Sequence, residues 1–154
     1  MPETSISLIE SPIGLIELMA EQDQLVSIRI CAEATRPTDE TPPLRETRRQ
    51  LDAWFQGRLK DFDLPLAPFK SARGEELRAA ITAIPYGDSL SYGALARIAQ
   101  SGPRAIGQAC RRNPFPIVIP CHRVIGSNGS IGHYSGGQGI ATTLWLLDHE
   151  SKHR

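Results

Sequence analysis

In the stretch NPFPIVIPCHRVIG, residues 113 to 126, Cys121 closes an apolar run between Pro120 and the pair His122-Arg123. A thiolate, not a thiol, is the nucleophile, and an adjacent imidazole or guanidinium favours the ionised form. That setting points to a reactive sulfur, although free cysteines are more often buried and inert. Activation of such a nucleophile calls for a base and for a third group that orients the base. His122 is the local base, and the C-terminal segment TTLWLLDHE offers Asp148 and Glu150 as orienting carboxylates. Spacing alone does not choose between those two acids. Cys31, Cys110 and Cys121 show no C-x-x-C spacing, so neither a disulfide framework nor a closed zinc site is expected.

The elements that must hold Cys121 can be read outward from it. Asn113-Pro114 ends a helix, because the residue before a proline is pushed out of the α region. PIVIP then reads as an extended, buried run, stiffened by prolines at both edges, that presents the thiol. Upstream, RGEELRAAITAI makes one helix ended by PYGD, and SYGALARIA makes a second with Ser91 as N-cap. After the QSG break, PRAIGQACRR makes a third with Pro103 in its first turn. Two short helices about a glycine-containing turn read as a helix-turn-helix. Its second helix carries Arg104, Arg111 and Arg112 beside the small residues Ala105, Gly107 and Ala109, which permit close approach to another surface.

The first 66 residues are of another kind. ISLIE, GLIELMA and LVSIRI are partly alternating apolar runs separated by SPIG and EQDQ, the pattern of an antiparallel meander. Leu44, Leu51, Trp54 and Phe55 recur at helical spacing, with Gly57 as a stop, and DFDLPLAPFK reads as a linker. The fold class is therefore α+β, with an antiparallel-sheet-plus-helix lobe over 1–66 and a mainly helical lobe over 67–154. Net charge is zero, but residues 1–66 carry seven basic and twelve acidic side chains, against ten and five in residues 67–154. A basic second lobe suits a polyanionic partner. With no apolar run long enough to span a bilayer and no leader pattern, the chain reads as cytosolic, with no membrane partner.

Taken together and in order, IPYGDSLSYGALA, the NP seven residues before the cysteine, IPCHRVIG, YSGG and LLDHE resemble the O6-alkylguanine-DNA alkyltransferases, also called methylated-DNA–protein-cysteine methyltransferases. The resemblance covers roughly residues 81 to 150 and implies a ribonuclease H-like first lobe. It makes Cys121 the alkyl acceptor, His122 the water-linked base and Glu150 the carboxylate that holds the histidine, with Asp148 outside the motif. Asn113 matches the asparagine bracing the hinge between recognition helix and active site. Tyr92 matches the tyrosine that helps rotate the nucleotide and serves the base, and Arg104 the arginine that fills the vacated stack. The backbones of Val124 and Ser135 would line the guanine pocket, Tyr134 would wall it, and Ser127 would meet a phosphate. Ala105, Gly107 and Arg111 would lie on the DNA-facing side of the recognition helix.

The resemblance implies a partner, duplex DNA containing O6-alkylguanine and, by extension, O4-alkylthymine, entered through the minor groove by a monomer. It implies a single irreversible transfer to Cys121, because a thioether has no route back, and neither cofactor nor metal. Zinc ligands known in some animal relatives have no counterpart near Cys31, and cysteine stands where alkyltransferase-like proteins carry tryptophan. Two departures stand out. SARGEELRAA replaces an aromatic-containing helix, with Arg73 where a small polar residue often meets phosphate, and QGIATT lacks the usual basic residues after YSGG. The alternative to repair is a lesion sensor or helix-turn-helix regulator with weak or no transfer.

Overall fold

The computed structural model of the protein describes residues 3–30, 32–33, 38–126, 128–129 and 139–154. The chain divides into two compact units, Met1–Ala67 and Pro68–Arg154.

In the first unit, strands β1 (Thr4–Ile9), β2 (Ile16–Glu21) and β3 (Gln24–Ile30) pair antiparallel in the order β1-β2-β3, with a bulge at Met19/Ala20. Alternation sends Ile16, Leu18 and Ala20 of β2 to one face, where they are fully buried with Leu25 and Ile28 of β3. Helix α1 (Pro42–Phe55) covers the sheet with Leu44, Thr47, Leu51 and Trp54, a stripe at helical spacing. Phe55, expected in that stripe, is only half-buried because it turns a full residue off the buried line. Gly57 adopts φ +75° just past the helix, the left-handed stop its position suggested. The connecting segment is partly fastened to the sheet. Leu25 donates its N–H to Pro65 O and accepts from Ala67 N, each at 2.8 Å.

The second unit places its helices around the site. Helix α2 (Ala72–Thr82) starts at Ser71, whose hydroxyl accepts from Gly74 N at 2.9 Å. Helix α3 (Tyr92–Ile98) starts at Ser91, whose hydroxyl accepts from Ala94 N at 3.0 Å. Helix α4 (Pro103–Arg111) has Pro103 at its first position, and α5 (Ile140–Lys152) closes the chain. A short parallel pair, β4 (Leu90–Ser91) with β5 (Val124–Ile125), had no signal in the sequence, since two-residue strands are too short to show a period. This pair ties the start of α3 to the segment that leaves Cys121. No described helix is long and apolar enough to cross a membrane.

Candidate active site

The segment before Cys121 is buried as expected but is not extended. Pro116 bridges to Ile119 and Ile119 N donates to Phe115 O at 2.9 Å, so the chain folds back on itself. Ile117 takes φ +77°, an unfavourable conformation for a β-branched residue. Alternating prolines suggested a strand, but Asn113 overrides that preference. Its Oδ1 accepts from Phe115 N at 2.9 Å and its Nδ2 donates to Ile119 O at 3.0 Å, fastening both ends of the turn. The second hydrogen of Nδ2 is directed to Cys121 Sγ at 3.4 Å. Cys121 itself opens a 3-10 turn, Cys121–Arg123, its N–H held by Ile119 O at 2.8 Å.

The sulfur differs from the ionised, presented thiolate that its neighbours in sequence suggested. Cys121 is 2% exposed, and its pKa is pushed well above the ordinary thiol value. The first cause is the neighbouring thiol of Cys110 on the buried face of α4, whose sulfur accepts from the protonated Cys121; desolvation adds to the shift, and the Asn113 amide opposes it. His122 and Arg123 do not offset this, because both are committed elsewhere. At rest Cys121 is therefore a protonated, buried thiol.

His122 and Glu150 come together from opposite ends of the motif set. His122 Nε2 lies 2.6 Å from Glu150 Oε2, with both side chains essentially inaccessible. Burial lowers the histidine pKa against the pull of Glu150, so the ring is neutral near pH 7. Nε2–H is then the donor to the carboxylate, and Nδ1 carries the lone pair. Burial works to raise the Glu150 pKa, but hydrogen bonds from His122 and Arg123 win and hold it down at about 2. The carboxylate is thus an anion at neutral pH, balanced chiefly by the guanidinium of Arg123.

Arg123 is the functional residue that the sequence left unassigned. Its Nε donates to Glu150 Oε1 at 3.0 Å and its Nη2 to Oε2 at 2.9 Å, a forked pair, while Nη1 donates to Ile84 O at 2.6 Å. Its place beside His122 was the only available signal. Gly87 N adds a further donor to Glu150 Oε1 at 3.1 Å. Gly87 sits at φ +83°, a backbone conformation that favours glycine over residues with a side chain. Asp148 takes no part. It is 63% exposed and pairs with Lys152 at 2.9 Å.

The helix-turn-helix presents a distinct face. On α4, Ile106 and Cys110 are buried one turn apart, whereas Arg104, Ala105, Gln108 and Arg111 are exposed, as is Arg112 just past its end, and Gly107 is half-buried. Tyr92 is half-buried at the first position of α3, directly after the strand that pairs with Val124-Ile125. Val124 is buried in that pairing. Ser127, Tyr134 and Ser135 lie outside the described residues.

The chain is similar in sequence and in fold to known proteins. Residues 74–152 match the DNA binding domain of 6-O-methylguanine DNA methyltransferase, and residues 5–68 match its ribonuclease-like domain. The chain is 36% identical over 152 residues to a methylated-DNA–protein-cysteine methyltransferase of Methanosarcina acetivorans, covering 92% of this chain and 96% of that one. It is 36% identical over 140 residues to the constitutive methylated-DNA–protein-cysteine methyltransferase of Bacillus subtilis, covering 84% and 85%. Among solved structures, Mycobacterium tuberculosis O6-methylguanine methyltransferase superposes with a TM-score of 0.85 at 31% identity, covering 99% of this chain and 95% of the other. The same organism's OGT in complex with DNA superposes with a TM-score of 0.83 at 32% identity, covering 96% and 93%.

Proposed function

The chain belongs to the 6-O-methylguanine DNA methyltransferase family, and from that premise we propose that it repairs DNA by moving the alkyl group of O6-alkylguanine irreversibly onto its own Cys121. The observation that carries this reading is the convergence of Asn113 on Cys121 Sγ and of His122 and Arg123 on Glu150, within one unit that also bears the helix-turn-helix.

The O6 atom of a paired guanine is out of reach, so the nucleotide must leave the stack at a cost of a few kcal/mol. Exposed Arg104 at the start of α4, with Ala105 and Gly107 allowing close approach, suits the role of filling the gap from the minor groove. Arg111 on the same helix suits a phosphate. Ser127 is assigned the adjoining phosphate contact, and Val124, Tyr134 and Ser135 the guanine pocket, by their match to the family motif. O4-alkylthymine is a second substrate on the same logic.

Transfer needs the Cys121 proton removed. It passes through water to Nδ1 of neutral His122, whose imidazolium is stabilised by the anionic Glu150 held in Arg123's fork. Cys121 Sγ then forms a bond to the alkyl carbon as the bond from that carbon to O6 breaks. The electron pair leaves with guanine, which takes a proton from Tyr92, and the imidazolium proton restores the phenol. The products are guanine and a thioether. A thioether cannot be reversed by any group named here, so each molecule acts once. These steps use no cofactor or metal, and we propose that a monomer carries them out. A reducing cytosol suits a chemistry that depends on a free thiol.

Incubation with an O6-methylguanine duplex followed by intact mass measurement tests the reading. A single methyl increment that Cys121→Ser abolishes is the expected result. Unmodified protein that still binds the duplex favours the lesion sensor instead.

A further inference from the structure

The turn joining α3 to α4 rests on a residue poorly suited to it. Ser101 N donates to Ala96 O at 2.8 Å and Gln100 N to Arg97 O at 3.3 Å, the paired closure with which helices commonly end on glycine. Here the left-handed position is filled by Gln100, at φ +54°. A side chain makes that conformation unfavourable, so the turn needs support from outside itself.

Arg73 supplies it from the first turn of α2. Its Nη2 donates to Ala99 O at 3.0 Å and to Gln100 O at 2.8 Å, the carbonyls of the two residues that follow α3. Its Nη1 donates to Glu76 Oε2 at 2.6 Å, which fixes the plane of the guanidinium. A lysine ammonium lacks the rigid fork that meets a carboxylate and two carbonyls at once. Ser101, Gly102 and Pro103 follow, and Arg104 is the second residue of α4. The clamp therefore acts on the entry to the helix that carries the stack-filling side chain.

We infer that Arg73 is a positioning residue for duplex engagement, acting through the Gln100 turn to set α4 and Arg104 against DNA. The inference rests on the proposed function and deepens it. Arg73 donates to the protein's own backbone at a place in the sequence that would otherwise suit a phosphate contact. The reacting cluster of Cys121, His122 and Glu150 makes none of these bonds.

The experiment compares two substrates, an O6-methylguanine duplex and the free O6-methylguanine base, under single-turnover conditions. Arg73→Ala should raise the duplex concentration needed for half-maximal rate about tenfold, or 1.4 kcal/mol of binding, while leaving the saturated rate and the free-base rate within about twofold. Gln100→Gly removes the strain that the clamp offsets, so the Arg73→Ala/Gln100→Gly protein should recover most of the duplex affinity. A loss that Gln100→Gly does not repair means that Arg73 meets DNA directly and overturns the inference. So does an unchanged duplex response, or an equal loss on both substrates. A wild-type protein that takes no methyl from either substrate overturns the proposed function instead, and thereby separates the two failures.

Discussion

The side-chain amide of Asn113 lies 3.4 Å from Sγ of Cys121 and 3.0 Å from the carbonyl oxygen of Ile119, so one group holds the turn and donates to the sulfur. Removing it lets the Ile117 turn relax and takes away the one interaction that favours thiolate. Asn113→Ala should slow alkyl transfer from the free base by about ten- to a hundredfold, the scale of losing one to two hydrogen bonds to a developing charge. Single-turnover kinetics by intact mass would show it. A rate within twofold of wild type would remove Asn113 from the mechanism.

Cys110 acts in the opposite sense. Its thiol is the leading cause of the raised Cys121 pKa. In Cys110→Ala the Cys121 pKa should fall, and the thiolate fraction at neutral pH should rise with it. The pH profile of free-base transfer should therefore shift toward lower pH, alongside a stability loss of about 1 kcal/mol for the small cavity. A profile that coincides with wild type would argue against this role for Cys110.

The buried carboxylate makes the fold sensitive to acid. Glu150 has a folded pKa of about 2, below its ordinary 4.5, so its contribution to stability is complete above pH 4.5 and is lost as pH falls toward 2. The shift corresponds to about 3 kcal/mol. His122, whose folded pKa lies below its ordinary 6.5, adds a penalty at low pH, because the unfolded chain binds that proton more readily. Urea midpoints should drop between pH 6.5 and 2.5. Glu150→Gln leaves Arg123 buried without its anion, so it should lose about 3–5 kcal/mol at pH 7 and show a flatter acid limb. Equal pH dependence in the two proteins would count against the linkage.

Arg104 separates duplex recognition from chemistry. It is exposed on α4 and bonds to none of the reacting cluster described above. Arg104→Ala should cut repair of duplex O6-methylguanine by at least about tenfold, since the vacated stack is left unfilled, and should leave free-base transfer near wild type. Equal losses on both substrates would move Arg104 out of the flipping role.

His122 and Glu150 should behave as one unit. The double variant His122→Ala/Glu150→Gln is expected to transfer little more slowly than the slower single variant. Losses that multiply would show two independent contributions.

Much of this was legible in the residues themselves. The helix starts at Ser91 and Pro103 follow from local chemistry, because a hydroxyl cap and a proline first turn act within three residues. The stripe of Leu44, Leu51 and Trp54 follows from period alone. The turn at 113–120 did not, because a side chain at its start, Asn113, overrides what Pro116 and Pro120 prefer.

Sequence by itself determined which atoms could react, a cysteine beside a histidine, and that a helix-turn-helix would stand upstream, because residue types and short-range spacing carry both. Spacing left the choice between Asp148 and Glu150 open and the family resemblance named Glu150, but only the tertiary structure shows the physical reason that Glu150 serves the histidine. Asp148 and Glu150 are two residues apart on α5 and face opposite ways, yet the buried side of that helix is Thr142, Thr143, Leu146, His149 and Glu150, while Ile140 and Leu144 are exposed. A mostly polar inner face gives no hydrophobic signal. It is chosen instead by long-range partners, Arg123 and the Gly87 amide, which lie 27 and 63 residues away along the chain. The state of the sulfur was decided the same way, by Cys110 arriving from another helix.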